Sequence, residues 1–106
     1  MFDEDYSLNI DEESQIEQSA NIYSIIRTLE FVEWAYNNSK VDKDKYMEQT
    51  NLILDQYNNS VTAYCDSYPG IDQFVIKYNL NDCKLGVKRI KEGKVQITTT
   101  TTVFFI

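Results

Sequence analysis

A repeating pattern in the middle of the chain gives the clearest structural signal. Met47, Thr50, Leu54, Tyr57, Val61, Tyr64 and Tyr68 follow one another at spacings of three and four residues. Because 3.6 residues make one turn of an α-helix, this spacing keeps all seven side chains on one side of a helix. The pattern predicts a helix from about Lys43 to Asp66, with Asp42 as its N-cap. Pro69 and Gly70 then end the helical sequence.

A second amphipathic helix is predicted upstream, from about Ala20 to Asn37. One face carries Ile22, Ile25, Ile26, Leu29, Val32 and Tyr36, whereas Tyr23, Phe31 and Trp34 fall on a different sector of the same helix. A helix that is apolar on two sides is either buried in a core or shared between neighbours. A short chain offers few internal neighbours, which favours an external partner. The alternative is that the chain's own C-terminal helices cover the second face.

The two long helices are joined by a short polar link, which predicts an antiparallel hairpin. Two short helices should follow, one capped by Asp72 and ending near Tyr78, the other capped by Asp82 and running from Cys83 to Lys91. Gly86 weakens the last helix and Gly93 closes it. The predicted fold is therefore all-α. It divides into an acidic leader (1–20) that is disordered or weakly helical, a helical domain (21–93) and a threonine-rich extended tail (94–106).

The charge distribution changes the expected partners. The chain carries a formal net charge of −7, and its first twenty residues hold seven carboxylates without any lysine or arginine. Such a leader repels phosphate backbones, so no nucleic-acid partner is expected. Residues 84–94 instead contain five basic residues and one acidic residue. This cluster allows peripheral membrane contact at most, and a solvated helix end is the simpler interpretation.

The sequence contains no cluster of residues that predicts catalysis or metal binding, and its carboxylates fall mainly on predicted polar faces or in the leader. There is no histidine, and Cys65 and Cys83 are isolated from each other. General acid–base catalysis near neutral pH and zinc binding both draw on such residues. Three scattered glycines form no phosphate-binding loop. We therefore expect no enzyme activity, no cofactor and no metal. The absence of an apolar leader or a long apolar run predicts an intracellular protein.

Several motifs, in their order along the chain, resemble the vacuolar protein sorting 28 family. They are Thr28-Leu29-Glu30, Glu33-Trp34-Ala35-Tyr36, Leu54-Asp55-Gln56-Tyr57, Ile71-Asp72-Gln73-Phe74, Lys77-Tyr78-Asn79-Leu80, Asp82-Cys83 and Arg89-Ile90-Lys91-Glu92. The resemblance covers roughly residues 21–93. One departure is Lys84, which stands where the family tends to place proline.

The resemblance implies a subunit of ESCRT-I, the complex that helps sort ubiquitinated membrane proteins into multivesicular bodies. It also implies a cytoplasmic location, peripheral to the endosome membrane. The matching region is the family's N-terminal headpiece domain. Its partners there are the subunit with the UEV domain and a vacuolar protein sorting 37-type subunit. The family's C-terminal domain, which contacts ESCRT-II, has no counterpart before Ile106, so the resemblance does not extend to the ESCRT-II contact.

Apolar and aromatic side chains on the predicted helix faces are the candidate partner contacts. They are Tyr23, Phe31, Trp34, Tyr36, Leu54, Tyr57, Val61 and Tyr64. For each of them the alternative is packing inside the hairpin. A different class of function also remains open, in which the Met47–Tyr68 series forms the seam of a homodimeric coiled coil. Tyrosine and threonine fit such a seam less well than leucine and isoleucine do.

Overall fold

The computed structural model describes the backbone of residues 2–95 and the side chains of residues 12–95. Four α-helices follow one another: α1 (Phe2–Asn37), α2 (Lys43–Tyr64), α3 (Ile71–Lys77) and α4 (Lys84–Glu92), with a 3₁₀ turn at Cys65–Ser67 after α2. The described range contains no strand, and the all-α prediction is confirmed. The predicted extended tail lies outside the described residues from position 96 onward.

The N-terminal segment differs from its prediction, because α1 begins at Phe2 rather than near Ala20. The first twenty residues contain neither glycine nor proline, so nothing in them interrupts a helix that the core stabilises further along. The Gln15 amide donates to the Ser67 hydroxyl at 3.2 Å, which ties the leader to the far end of α2.

The hairpin forms as the sequence predicts. Asp42 caps α2 by accepting a hydrogen bond from the Lys45 backbone N–H at 2.8 Å. α1 and α2 meet in a cluster of four buried residues. Ile25, Leu29 and Leu54 belong to the predicted faces, whereas Ile53 is not part of the predicted series. All seven members of the Met47–Tyr68 series are buried or partly buried within the single chain.

The short helices close over the first half of the hairpin. Phe74 from α3, Leu80 and Cys83 are completely buried against Ile22 and Ile26 of α1. α4 approaches α1 so closely that a Cβ atom on Gly86 would lie 2.7 Å from the carbonyl oxygen of Ile26. Glycine therefore permits this contact, although it weakens an isolated helix.

The two short helices begin differently from the prediction. The N-cap of α4 is Cys83, which makes no side-chain capping bond, and Asp82 instead forms an ion pair with Arg27 at 2.8 Å. Gly70, with a φ of 97°, occupies the N-cap of α3. Asp72 lies in the first turn of α3 and pairs with Lys91 at 2.8 Å. Both carboxylates thus pair with basic side chains from α1 or α4. Such contacts between distant parts of the chain cannot be recognised from the local sequence.

Candidate partner-binding face

Two aromatic residues on the outer side of α1 remain exposed in the folded chain. Phe31 is 65% exposed and Trp34 is 46% exposed. Their rings are stacked, with centroids 6.0 Å apart and planes inclined by 26°. α4 contacts α1 at Ile26 and Glu30 and leaves this sector open. Within the described residues, the chain's own C-terminal helices therefore do not cover the second face of α1.

An apolar groove of about 220 Å³ lies beside this pair, between α1 and α2. Its lining includes Phe31, Val32, Ala35, Val41, Tyr46 and Ile53. The groove is close to the hairpin turn, because Val41 belongs to the link between the two helices. Lys45 is the one charged residue of the lining, and it is exposed, so a large apolar side chain from another helix could enter the groove while the Lys45 ammonium stays in water.

A polar groove continues along the same side of the hairpin, away from the turn. Its volume is about 380 Å³, and its lining is Asn21, Ser24, Ile25, Gln56, Asn59 and Ser60. Ser24 lines this polar groove, whereas Thr28 and Ala35 line the apolar one. The three residues are separated by four and seven positions, so both grooves lie on one side of α1. The hairpin thus offers one surface that changes from apolar near the turn to uncharged and polar at the other end.

Tyr23 lies at the edge of the exposed sector and is 36% exposed. The guanidinium carbon of Arg27 lies 5.5 Å from the centroid of its ring, within cation–π distance. Arg27 also bonds Asp82 at 2.8 Å, and this hydrogen bond lowers the pKa of the Asp82 carboxyl. The same bond, together with one to the Tyr23 hydroxyl, raises the pKa of Arg27.

The other candidate contacts lie within the molecule. Leu54 is 4% exposed and Tyr64 is 9% exposed, and Val61 packs against the same cluster as Tyr64. The Tyr64 hydroxyl accepts a hydrogen bond from Ser19 at 3.1 Å. In this conformation these three residues hold the hairpin and the short helices together, which is the internal role that the sequence left open.

Tyr36 and Tyr57 are intermediate cases. Tyr36 is partly buried because its ring stacks on that of Tyr46, with centroids 3.9 Å apart. The Tyr57 hydroxyl shares a hydrogen bond with the Tyr68 hydroxyl at an oxygen–oxygen distance of 2.6 Å. Burial raises the pKa of both Tyr57 and Tyr68. Each of the two candidates thus has an internal partner that already fixes its ring.

A buried polar network that sequence reasoning missed joins three helices behind this face. Glu33 of α1 is only 8% exposed and accepts hydrogen bonds from the Tyr46 hydroxyl at 2.5 Å and from Nε of Arg89 at 3.3 Å. Burial, followed by the hydrogen bond and charge of Glu33, raises the pKa of Tyr46 to about 12. The only signal in the sequence is a glutamate placed among apolar residues of α1, and its spacing does not identify partners that lie 13 and 56 residues away.

The described residues meet the requirements of neither a metal site nor a membrane-spanning helix. Between positions 12 and 95, no three histidine, cysteine, aspartate or glutamate side chains are grouped to hold a metal ion. Among the described helices, none has both the length and the apolar character required to cross a bilayer.

Comparison with known proteins identifies the family. The model of the family described as VPS28 protein matches residues 19–103. The chain belongs to the VPS28 family. Similar relatives are the vacuolar protein sorting-associated protein 28 homologs of Caenorhabditis briggsae and Caenorhabditis elegans, each 27% identical over 81% of this chain. The vacuolar protein sorting-associated protein 28 of Dictyostelium discoideum is 32% identical over 80% of it.

The chain corresponds to only part of these VPS28 relatives. The matched region spans 40% of each nematode protein and 29% of the Dictyostelium protein. No solved structure matches the chain at the stringency used for these relatives. The match includes the whole of α2, α3 and α4 and the part of α1 that carries Phe31 and Trp34.

Proposed function

We propose that this chain is a non-enzymatic assembly subunit of ESCRT-I that acts in endosomal sorting of ubiquitinated membrane proteins into multivesicular bodies. Its membership of the VPS28 family supports a role in vacuolar protein sorting, as the names of the relatives indicate. The observation that carries the assembly role is the exposed pair of Phe31 and Trp34 beside an apolar groove. In this proposal the chain works at the cytoplasmic surface of endosomes, held there by its partner subunits.

The mechanism is docking of partner helices along the outer side of the hairpin. Burying apolar surface contributes about 25 cal/mol per Å² removed from water. Aromatic residues near the centre of an interface often carry a large part of the binding energy. Phe31 and Trp34 would occupy that central position, with Tyr23 at the rim. The partners are the UEV-domain subunit and a vacuolar protein sorting 37-type subunit, whose helices would lie beside α1 and α2.

The structure gives less support to a homodimeric coiled coil. The Met47–Tyr68 series packs within the chain, where Thr50 is fully buried and Leu54 and Tyr64 are nearly so. A dimer through this seam would have to open the hairpin first. Membrane binding through the basic segment is also less favoured, because Lys91 and Lys94 are paired with Asp72 and Asp55 at 2.8 and 2.9 Å.

Co-purification tests the proposed assembly. The chain is co-expressed with the UEV-domain subunit and the vacuolar protein sorting 37-type subunit, as wild type and as the double variant Phe31→Ser/Trp34→Ser. We expect the double variant to lose the partners while it keeps its helical circular dichroism. The matched control is Ile76→Ser on α3, because Ile76 is 64% exposed and lies outside the groove. The control should retain both partners.

Three results would count against the proposal. In the first, the wild-type chain fails to co-purify with the two subunits. In the second, the double variant binds as well as the wild type. In the third, the double variant loses its helicity, which would make Phe31 and Trp34 structural residues rather than contacts.

A further inference from the structure

A third groove lies between α3 and α4, on a part of the molecule that the proposed assembly role does not use. It has a volume of about 330 Å³. Leu80 and Cys83 close its bottom and are completely buried, whereas Val75 and Val87 form its sides and are partly exposed. Residues of α1 and α2 do not line it. The groove can therefore receive an apolar side chain while the outer face of α1 is occupied.

The charged residues at the rim of this groove are three lysines and one glutamate, Glu92, so positive charge predominates. Lys84, Lys88 and Lys91 all line it, and their spacing of four and three residues places them along one side of α4. They stand out because the chain as a whole carries a net charge of −7. Positive charge concentrated beside an apolar groove favours a ligand that combines carboxylates with apolar side chains.

The positive charges of two of the three lysines are only weakly neutralised by carboxylates of the same chain. Nζ of Lys91 lies 2.8 Å from a carboxylate oxygen of Asp72, but Nζ of Lys88 is 4.0 Å from the nearest one, on Glu92. Within the described residues, Lys84 makes no ion pair with a carboxylate closer than 4.0 Å. The side chains of the Lys88–Glu92 pair are also 71% and 48% exposed, so water screens their attraction. Lys84 and Lys88 are therefore available to a ligand.

We propose that the α3–α4 groove binds a short acidic amphipathic peptide segment of another protein. Apolar side chains of the segment enter between Val75 and Val87, and its carboxylates pair with Lys84 and Lys88. The lysines at positions 84 and 91 are seven residues apart, which spans about 10 Å along a helix. A helical segment of six to eight residues, with carboxylates on both sides of two or three leucine-like residues, matches this length at about 1.5 Å per residue.

A peptide explains the groove better than an anionic membrane does. Membrane-surface helices present protruding apolar side chains to the acyl region. Here the most apolar positions, Leu80 and Cys83, lie at the bottom of a concavity and are inaccessible to a bilayer. A narrow ligand that inserts single side chains can reach the partly exposed walls.

Fluorescence anisotropy with a defined probe tests this proposal. The probe is a fluorescein-labelled peptide of sequence Glu-Asp-Leu-Leu-Glu-Asp-Leu-Glu, and its matched control replaces the three leucines by serines. We expect saturable binding of the leucine peptide and none of the serine peptide. Lys84→Glu/Lys88→Glu should weaken binding about tenfold or more, because two attractions become repulsions. Lys40→Glu/Lys43→Glu makes the same charge change at exposed positions outside the groove and should have less than about a threefold effect.

Amide chemical shifts locate the contact. The leucine peptide should shift the backbone resonances of Val75, Leu80 and Val87, with smaller changes around Phe31. The proposal is overturned by the absence of saturable binding, by equal binding of the serine peptide, or by shifts that map elsewhere. It is also overturned if the chain ignores the peptide but binds phosphatidylserine vesicles through Lys84 and Lys88. None of these outcomes depends on binding to the ESCRT-I subunits.

Discussion

The backbone nitrogen of Gly86 lies 2.9 Å from a carboxylate oxygen of Glu30, so a side chain of α1 caps the beginning of α4. The N-cap residue Cys83 provides no side-chain bond of its own. The carboxylate satisfies one of the free N–H groups of the first turn and places negative charge at the positive end of the helix dipole. α4 is thus fixed to α1 in two ways: the two backbones are in close contact at Gly86, and the Glu30 side chain caps the first turn of α4.

Gly86→Ala should destabilise the protein, even though alanine favours an isolated helix by about 1 kcal/mol. The new Cβ would lie 2.7 Å from the Ile26 carbonyl oxygen and 3.0 Å from the Glu30 nitrogen, and both are backbone atoms that cannot move independently. We expect a net loss of about 1–3 kcal/mol in the free energy of unfolding, measured by urea titration with circular dichroism. Lys88→Ala, an exposed change in the same helix, should stay within about 0.5 kcal/mol of the wild type. An equally small effect of Gly86→Ala would show that α4 does not pack as described.

Tyr46→Phe should reveal a pH-dependent contribution to stability. Because the folded protein raises the pKa of Tyr46 to about 12, from about 10 in the unfolded chain, its neutral hydroxyl stabilises the folded state fully below pH 10. This contribution is lost as the pH rises from about 10 to 12. The difference in unfolding free energy between the wild type and Tyr46→Phe should therefore be about 1–3 kcal/mol at pH 8 and shrink above pH 10. A difference that stays constant up to pH 12 would contradict the burial of the Tyr46 hydroxyl and its bond to Glu33, which together raise this pKa.

Thr50→Val should stabilise the protein. Thr50 is completely buried, and its hydroxyl oxygen has no hydrogen-bond partner among the described residues. Valine has the same shape without the unsatisfied polar group, so we expect a gain of about 1 kcal/mol in unfolding free energy. The matched control is Thr62→Val in the same helix, where the hydroxyl is exposed and donates to the Asn58 carbonyl at 2.9 Å. It should give no gain, and a loss of stability in Thr50→Val would show that the buried hydroxyl is satisfied after all.

The sequence predicted features that depend on neighbours along the chain. The periodic positions located α2 and the C-terminal half of α1, and Asp42 caps α2 as expected because the bond to Lys45 spans only three residues. Gly93, with a φ of 86° and an N–H bonded to the Arg89 carbonyl, ends α4 as predicted. These features need no knowledge of how the helices pack.

Features that depend on distant contacts could not be predicted in the same way. Asp82 resembled an N-cap, but Arg27, 55 positions away, holds its carboxylate. Gly86 appeared unfavourable for a helix, but the close approach of α1 requires it. The amphipathic pattern also could not separate Tyr64, which lies in the core, from Phe31, which remains exposed, because both lie on apolar helix faces.

The single tryptophan of the chain, Trp34, offers the most direct test of the proposed docking face. The chain is labelled with 5-fluorotryptophan, and its one fluorine resonance is followed by NMR while the unlabelled UEV-domain and vacuolar protein sorting 37-type subunits are added. If partner helices cover Trp34, which is 46% exposed in the isolated chain, the free resonance should disappear and a shifted, broader one should replace it. A complex that forms without any change at Trp34, or the absence of a complex, would contradict the proposed role of this face.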